Sequence, residues 1–383
     1  MKKVLIYQSV GNSNGGVWFV YETLATSLIK KGYDVCILSF RENKGKKVIN
    51  TNQNFEMHTI NKKNVWEITR FTEIKENIKK LNIIKTVKLS FIKLIEETIF
   101  LKDKIKAKKY IKEYNPDYII CSHYQLLDSI PKEYLKKTVF QQHTSFKVTL
   151  NSFPKTIKIL DKYKNKIHSF VWLTENTCKD AIEYGYTNSS YVYNPIKFTS
   201  DKRADVSKNR KLITISRLNS PEKRINMMLE IVNEVLSNYK DWTMELYGSD
   251  KLDDYCMDII NNSNQIKLMG VTNNVKEKLL TSSIYLSTSS YEGFPLSIIE
   301  AYECGVSCIS FNYGESCKEQ IKDGVTGYII EQDNIESFKE KLSKLMSDEE
   351  LLNNFSKASK KEAKKFNVNK ITNDWIKIFN NIL

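Results

Sequence analysis

The chain has 383 residues, which is too long for one ordinary hydrophobic core and indicates two domains. Its formal net charge of +14 favours an anionic partner, namely a nucleic acid, a membrane surface or a phosphorylated ligand, although biased base composition of the gene is an alternative source of the charge. Seven cysteines without a CxxC pair indicate reduced, buried thiols, and no apolar run is long enough for a signal peptide or a bilayer span.

The first predicted elements are a buried strand over 3–7, a glycine-rich loop, a helix over about 17–31 and a strand over 34–39. This order predicts a parallel βαβ unit. The loop has neither the GxGxxG spacing of dinucleotide binders nor the GK[ST] of P-loops. Gly15 and Gly16 are explained either by a plain tight turn or by a backbone that approaches a ligand at a helix N-terminus.

A basic amphipathic helical pattern follows between residues 67 and 113. Two interpretations stay open: the solvated surface of a core helix, or a surface that adsorbs to anionic lipid. The basic positions are Lys75, Lys79, Lys80, Lys85, Lys88, Lys93, Lys102, Lys104, Lys106, Lys108, Lys109 and Lys112. The apolar positions are Leu81, Ile84, Val87, Leu89, Ile92, Leu94, Ile95 and Ile99.

Two of the four histidines directly follow predicted parallel strands, His123 after a strand over 117–121 and His143 after a strand over 138–141. Open α/β sheets bind ligands at the carboxyl ends of their strands, so this placement favours function over a purely structural role. A strand, a helix and a short strand then lead to Asn194-Pro195. The polar, unpatterned segment 197–210 is predicted to be the interdomain linker.

The second half opens with a strand over 211–216, which Arg217 follows directly. Lys223 precedes a predicted helix over 225–238, so both cations can converge on one phosphate site. A later strand over 266–269 ends at Gly270-Val271.

The central unit reads as strand 283–289, loop 290–294, a helix from Pro295 to Cys304-Gly305, and strand 306–311. Proline suits the first helical turn and glycine the position after the C-terminus. This helix N-terminus is a ready phosphate site. Glu292 lies in the loop that faces it, and Glu300 lies about a turn and a half inside the helix. A carboxylate beside such a site can accept hydrogen bonds from a vicinal diol, as happens with ribose.

Together these motifs resemble the family 4 retaining glycosyltransferases. The resemblance rests on Arg217-Leu218 with Lys223, the segment EGFPLSIIEAYECGV from Glu292, DGVTGYII from Asp323, Asn194-Pro195 and the glycine loop. It implies an α/β GT-B fold, in which two Rossmann-like doubly wound domains face each other across a cleft. The implied division is an acceptor-binding domain over 1–196, a nucleotide-sugar-binding domain over 197–366, and a helix over 367–383 that crosses back to the first domain.

Residue by residue, the resemblance implies that Arg217 and Lys223 neutralise the donor diphosphate and that Glu300 holds the ribose hydroxyls. Glu292 would contact the transferred sugar, and His123 or His143 would lie by the acceptor. The residues implied for binding the nucleotide sugar are Gly15, Gly16, Arg217, Lys223, Gly270, Val271, Glu292, Gly293, Phe294, Pro295, Leu296, Ser297 and Glu300. Ser216 and Arg224 depart from the family pattern, because glycine is frequent at both positions.

The implied reaction is the retaining transfer of a hexose or N-acetylhexosamine from a nucleotide sugar, a UDP-sugar above all, to a saccharide or lipid-linked saccharide acceptor. No cofactor and no metal are implied, because two cations and a helix N-terminus would stabilise the departing diphosphate. The expected setting is bacterial surface-polysaccharide or glycolipid synthesis, in the cytoplasm at the inner face of the membrane, with peripheral contact to anionic lipid. The alternative is a sugar-nucleotide epimerase or phosphorylase of the same fold. No nucleic-acid partner is expected, since the basic region lacks interleaved aromatic residues.

Overall fold

The computed structural model describes residues 1–11, 15–42, 55–61, 83–248 and 251–382. These residues form two compact units. The first unit consists of residues 1–142, 153–171 and 379–383, and the second of residues 143–152 and 172–378. The domain boundary expected near residue 196 stays a prediction.

The first sheet has seven strands in the order β3-β2-β1-β4-β5-β6-β7. Their bounds are Lys3–Gly11 (β1), Asp34–Glu42 (β2), Glu56–Asn61 (β3), Tyr118–Cys121 (β4), Thr138–Gln141 (β5), Ser169–Trp172 (β6) and Ser189–Tyr191 (β7). The strands from β3 to β6 pair in parallel along this order. Val4, Leu5, Ile6 and Tyr7 of β1 are fully buried, as the near-continuous apolar strands of parallel sheets are.

Five α-helices lie between these strands along the described residues. They are Gly16–Lys30 (α1), Ile83–Tyr114 (α2), Phe146–Ser152 (α3), Pro154–Tyr163 (α4) and Glu175–Tyr184 (α5). Helix α2 is 32 residues long and begins where the described part of the basic region begins. The predicted positions Lys75, Lys79, Lys80 and Leu81 lie outside the described residues.

The second sheet has six strands in the order β10-β9-β8-β11-β12-β13, and every neighbouring pair is parallel. The strands are Lys211–Ile215 (β8), Thr243–Tyr247 (β9), Ile266–Gly270 (β10), Ile284–Ser287 (β11), Ser307–Phe311 (β12) and Gly327–Ile330 (β13). This is the doubly wound order of a Rossmann-like sheet. The strand order reverses between β8 and β11, and such sheets bind their ligands beside that switch point.

Except for the last one, the helices of the second half pack around this sheet and bury a continuous apolar core, in which Leu229, Ile298, Phe311 and Phe338 are fully buried. Their bounds are Val206–Asn209 (α6), Ile225–Leu236 (α7), Asp254–Asn261 (α8), Val275–Leu280 (α9), Leu296–Glu303 (α10), Glu315–Gln320 (α11), Ile335–Ser347 (α12), Glu349–Glu362 (α13) and Val368–Asn380 (α14). All seven cysteines are buried and unpaired with one another, as predicted.

The last helix ends in the first unit. Phe379, near the end of α14, stacks on Tyr118 of β4 with ring centroids 4.6 Å apart, and its ring also contacts Tyr33 at 6.2 Å. The last helix therefore places a fully buried apolar side chain, that of Phe379, in the first unit. The α/β class, the two Rossmann-like sheets and the returning C-terminal helix are confirmed.

The segment 197–210, predicted as a polar linker, belongs to the second unit. Its backbone is hydrogen-bonded there, because the N–H of Ala204 donates to the carbonyl of Cys304 at 2.8 Å. Ala204 and Val206 are buried, and Ser200 N–H donates to the Glu303 carboxylate at 2.7 Å. The few apolar residues of this segment lack a period, so the sequence pattern did not reveal its packing.

Candidate active site

A small pocket lies at the switch point of the second sheet, at the carboxyl ends of β8 and β11. The residues that line it are mostly hydroxylated side chains at the strand ends, with one cation and one carboxylate. They are Thr214, Ser216, Lys223, Ile225, Met228, Tyr285, Ser287, Thr288, Ser289, Glu292, Pro295 and Ser297. Four of the predicted site residues, Lys223, Glu292, Pro295 and Ser297, are thus brought together in one pocket.

Lys223 and Glu292 form an ion pair in this pocket. Lys223 ends a short 3-10 turn, Pro221–Lys223, that follows β8, while Glu292 lies in the loop between β11 and α10. Only 15% of the Lys223 side chain and 16% of the Glu292 side chain are exposed. The pair therefore supplies one fixed positive and one fixed negative charge in a setting where water screens them little.

The loop that carries Glu292 is held from several sides. The Ser289 hydroxyl donates to the Glu292 carboxylate at 2.8 Å. Gly293 packs against the main-chain carbonyl of His143, and a Cβ at residue 293 would overlap that oxygen. Glycine is therefore required at 293 by close approach, which the sequence pattern alone did not indicate.

Helix α10 begins beside the same pocket. Pro295 is its N-cap residue, so the helix begins at Leu296, one residue after the predicted start, and no side chain caps the helix. The first-turn N–H groups have no partners within the helix, and the positive end of its dipole lies there. Tyr285 contacts this first turn, because its hydroxyl lies 2.7 Å from the Ser297 hydroxyl. Gly305 follows the helix with φ +72°, as predicted for the residue after the C-terminus.

Glu300 lies on α10 but does not line the pocket. Its side chain is half-buried, and desolvation raises the pKa of its carboxyl to about 7, against a smaller lowering by the Lys197 charge. A carboxyl with this pKa changes its charge near neutral pH. Perturbed pKa values of this kind concentrate at functional sites.

Arg217 is not brought into the pocket with Lys223. Its guanidinium donates to Glu222 at 2.8 Å, and 68% of its side chain is exposed. The two cations predicted to converge thus have different carboxylate partners in this structure. The sequence reveals that both follow the same strand, but not which acid each one meets.

Three other predicted residues of the second unit lie apart from the pocket lining. Gly270 ends β10 with φ +73°, and its carbonyl accepts from Gly248 N–H at 2.9 Å. Val271 is exposed. The Phe294 ring packs between Tyr193 and Phe366 in the core, so only its main chain can serve a ligand.

In the first unit, Gly15 precedes α1 as its N-cap and Gly16 is its first residue. His123 follows β4, the neighbour of β1, at the switch point of the first sheet. Its Nδ1 accepts from Gln125 N–H at 3.4 Å. Burial lowers the pKa of His123 to about 4, and burial lowers the pKa of His143, which belongs to the second unit, to the same value. Both imidazoles are therefore neutral at physiological pH.

Several residues of the site were not predicted. Thr288 and Ser289 hydrogen-bond the groups around Lys223 and Glu292, and Thr214 and Tyr285 complete the pocket. The run Ser287-Thr-Ser-Ser290 at the end of a buried strand could have indicated these residues. Hydroxyl groups at that edge of a sheet hydrogen-bond either a ligand or a neighbouring loop. Arg224 and Gln332 were also missed as parts of the supporting network.

Residues 196–362 match the protein family described as Glycosyl transferases group 1. An uncharacterised glycosyltransferase of Haemophilus influenzae is 25% identical over 384 residues, covering 98% of this chain and 99% of the relative. The poly(ribitol-phosphate) α-N-acetylglucosaminyltransferase of Staphylococcus aureus is 27% identical over 285 residues. That alignment covers 71% of this chain and 57% of the relative's length.

Among solved structures, the chain resembles a point mutant of S. aureus TarM, crystallised in complex with fondaparinux, α-GlcNAc-glycerol and UDP. The TM-score is 0.73 at 15% identity, covering 99% of this chain and 100% of TarM. The likeness establishes the GT-B fold. Residues 196–362, which hold the candidate site, match the model of Glycosyl transferases group 1, and glycosyltransferase is the class of protein that this match supports.

Proposed function

We propose that this chain is a family 4, retaining, metal-independent glycosyltransferase that uses a UDP-sugar donor. The observation that carries the proposal is the pocket at the switch point of the second sheet. There the Lys223–Glu292 pair and the N-terminus of α10 lie side by side. A cation next to a helix N-terminus suits a diphosphate, and a carboxylate suits sugar hydroxyls.

In the proposed reaction the bond between the anomeric carbon and the diphosphate breaks while the acceptor oxygen bonds to that carbon from the same face. The acceptor's hydroxyl proton passes to the departing diphosphate. Lys223 and the α10 N-terminus stabilise the charge that grows on the leaving group. Arg217 contributes after leaving Glu222, and the cations do the work that a divalent metal does in other transferases.

Donor recognition is proposed to involve further groups. Glu300 accepts hydrogen bonds from the ribose hydroxyls, and the main chain of Gly270 and Val271 contacts the nucleotide. Glu292 contacts hydroxyls of the transferred hexose or N-acetylhexosamine. Gly15 and Gly16 are proposed to approach the donor phosphates, and His123 or His143, both neutral, to lie by the acceptor.

The proposed acceptor is a saccharide, a lipid-linked saccharide or a related surface polymer of bacteria. Support comes from the relatives, since the similar S. aureus enzyme is named for a poly(ribitol-phosphate) acceptor. The net charge of +14 suits a polyanionic acceptor of that kind.

We further propose a cytoplasmic enzyme with peripheral contact to anionic lipid. Helix α2 supports this, because several large apolar side chains on it, including Phe91, Leu94, Leu101 and Ile105, are exposed. Lys102 and Lys108 are exposed on the same helix. A basic helix that exposes large apolar side chains suits a lipid interface. No helix among the described residues is long and apolar enough to cross a bilayer.

The proposed function is tested with a panel of UDP- and GDP-sugars, each assayed first for hydrolysis and then for transfer to short glycerol-phosphate, ribitol-phosphate and lipid-linked saccharide acceptors. A UDP-hexose or UDP-N-acetylhexosamine is expected to be consumed faster with an acceptor than without one. Conversion of the donor to an epimer without any acceptor, or phosphate-dependent release of a sugar phosphate, would instead support an epimerase or a phosphorylase.

A further inference from the structure

Arg224, the residue after Lys223, has an unusual backbone conformation. Its φ of 49° and ψ of 50° lie in the left-handed region, where a residue with a Cβ is disfavoured. Glycine would adopt this conformation without that cost. The strain is therefore retained immediately beside the cation of the candidate site, which indicates that the Arg224 side chain compensates for it.

All three nitrogens of the Arg224 guanidinium donate hydrogen bonds. Its Nε donates to the Thr288 carbonyl at 2.8 Å, one terminal nitrogen donates to Asp333 at 2.6 Å, and the other donates to the Gln332 side chain. The group also lies over the Phe311 ring, 5.0 Å from its centroid. Only 16% of the side chain is exposed. The guanidinium is planar and its N–H donors have fixed directions, so it orders these contacts more strictly than a lysine ammonium would.

Thr288 and Arg224 hydrogen-bond each other's main chain, and these reciprocal contacts form a clamp. The Thr288 hydroxyl lies 2.7 Å from the Lys223 carbonyl and 3.1 Å from the Arg224 carbonyl, while the Thr288 carbonyl accepts from Arg224. The turn that carries Lys223 is thus tied to the end of β11 through both main chain and side chain.

Gln332 extends the clamp to the loop that carries Glu292. Its amide nitrogen lies within hydrogen-bond distance of the carbonyls of Ser289 at 3.2 Å and Ser290 at 3.3 Å. The Ser289 hydroxyl in turn donates to the Glu292 carboxylate at 2.8 Å. Arg224 therefore contacts, directly or through one residue, both segments that place the Lys223–Glu292 pair.

We infer that Arg224 is a positioning residue, which holds the Lys223 turn and the 288–292 loop at a fixed separation so that Lys223 projects into the pocket. For the reaction itself, this inference rests on the proposed function of the same site. The placement of the Lys223 ammonium, however, is a property of the protein without any substrate.

The test is a double-mutant cycle of Arg224→Gly and Lys223→Ala, with UDP affinity measured by calorimetry. Glycine relieves the backbone strain, so the variant removes the clamp while favouring a folded turn. Arg224→Gly alone is expected to weaken UDP binding about 10-fold, the middle of the range for coupled neighbours, and to have less than about a 2-fold effect in the Lys223→Ala background. If the two substitutions lowered UDP affinity by factors that multiply in the double variant, or if Arg224→Gly alone did not lower it, the inference would be overturned.

A second measurement does not depend on nucleotide binding. Amine-reactive labelling followed by peptide mass spectrometry gives the modification rate of Lys223, which should rise several-fold in Arg224→Gly. Lys211 is the internal control, since it is similarly shielded, with 21% of its side chain exposed and a Glu245 partner at 2.8 Å. An unchanged Lys223 rate would refute positioning even if no nucleotide binds. Absence of UDP binding by the unmutated protein, with the labelling change present, would refute only the proposed donor.

Arg210→Gly is the matched control variant. Arg210 has the same left-handed conformation, with φ 46° and ψ 46°, and pairs with Asp241, but it does not line the pocket. It should leave both UDP affinity and Lys223 labelling unchanged. Arg224→Lys, which keeps the charge without the fork, should recover only part of the affinity; full recovery would show that charge alone suffices.

Discussion

Gly293 lies against the carbonyl oxygen of His143, so closely that a Cβ at residue 293 would overlap that oxygen. Gly293→Ala should therefore displace the neighbouring Glu292 loop and lower both turnover and the unfolding temperature. Thermal denaturation and transfer assays measure the two effects. Gly32→Ala is the comparison: its φ of +87° makes alanine strained, but nothing lies within 4 Å, so it should lower stability without changing turnover per folded molecule. Normal activity in Gly293→Ala would contradict the close approach.

Glu300 should make donor binding depend on pH. Because the pKa of its carboxyl is about 7, the ionised form that binds a diol becomes scarce below neutrality. Affinity for a UDP-sugar, whose diphosphate diester does not titrate in this range, should fall about 10-fold from pH 8 to pH 6. Glu300→Gln should bind more weakly at pH 8 and show no such pH dependence. Calorimetry at the two pH values measures this affinity. If the affinity of the unmutated protein did not change with pH, Glu300 would not bind the ribose.

The same carboxyl should affect stability in the opposite sense. Its folded-state pKa is raised from 4.5 to about 7, so the folded protein binds more protons than the unfolded chain between these values. Stability contributed by this group therefore falls as the pH rises through that window. Without ligand, Glu300→Gln should be more stable than the unmutated protein at pH 8, by about 1–2 kcal/mol after allowance for solvent screening of a half-buried group. Chemical denaturation at pH 5 and pH 8 tests this, and equal differences at the two pH values would contradict it.

Glu292→Ala should lower turnover while leaving affinity for free UDP intact or slightly higher. The carboxylate pairs with Lys223 in the pocket, so its removal leaves the ammonium available to the diphosphate. Calorimetry with UDP and steady-state transfer kinetics separate the two effects. Glu245→Ala provides a control, since it removes a carboxylate from another lysine pair, that of Lys211. Parallel loss of UDP affinity and turnover in Glu292→Ala would mean that this residue serves the nucleotide rather than the sugar.

Lys223→Ala should lower turnover about 10²–10³-fold, by analogy with loss of one preorganised donor to a developing charge. Added magnesium should not restore it, the unmutated enzyme should retain activity in EDTA, and the product should keep the donor's anomeric configuration by NMR. Arg217→Ala should have an effect in the same direction if Arg217 leaves Glu222 when the donor binds. Strict dependence on a divalent metal, or an inverted product, would contradict the mechanism.

Helix α2 should bind anionic vesicles in flotation assays, and added salt should release the protein because the attraction is screened. Replacing Lys102 and Lys108, both exposed, by Glu should reduce flotation. The same charge change at Lys344 and Lys357, which are exposed on helices of the second unit, is the control. Equal binding to neutral and anionic vesicles, or none to either, would leave only the solvated-helix interpretation.

The sequence by itself determined the elements of the site and most of their local chemistry. Pro295 at the N-terminus of α10, Gly305 after its C-terminus and the apolar run of β11 follow from local rules, because proline, glycine and buried strands have strong backbone preferences. The βαβ order likewise predicted two parallel sheets. Element bounds differed by up to four residues, since helix and strand ends depend on capping contacts that a pattern does not contain.

Only the tertiary structure decided which of these residues meet. The strand order places β8 beside β11, although 68 residues separate the end of one from the start of the other, and so brings Lys223 to Glu292. The same packing pairs Arg217 with Glu222 and wedges Gly293 against His143. It also buries Glu300 enough to shift its pKa. Partner choice, close approach and desolvation depend on distances between elements remote in the chain, and no local period of the sequence carries that information.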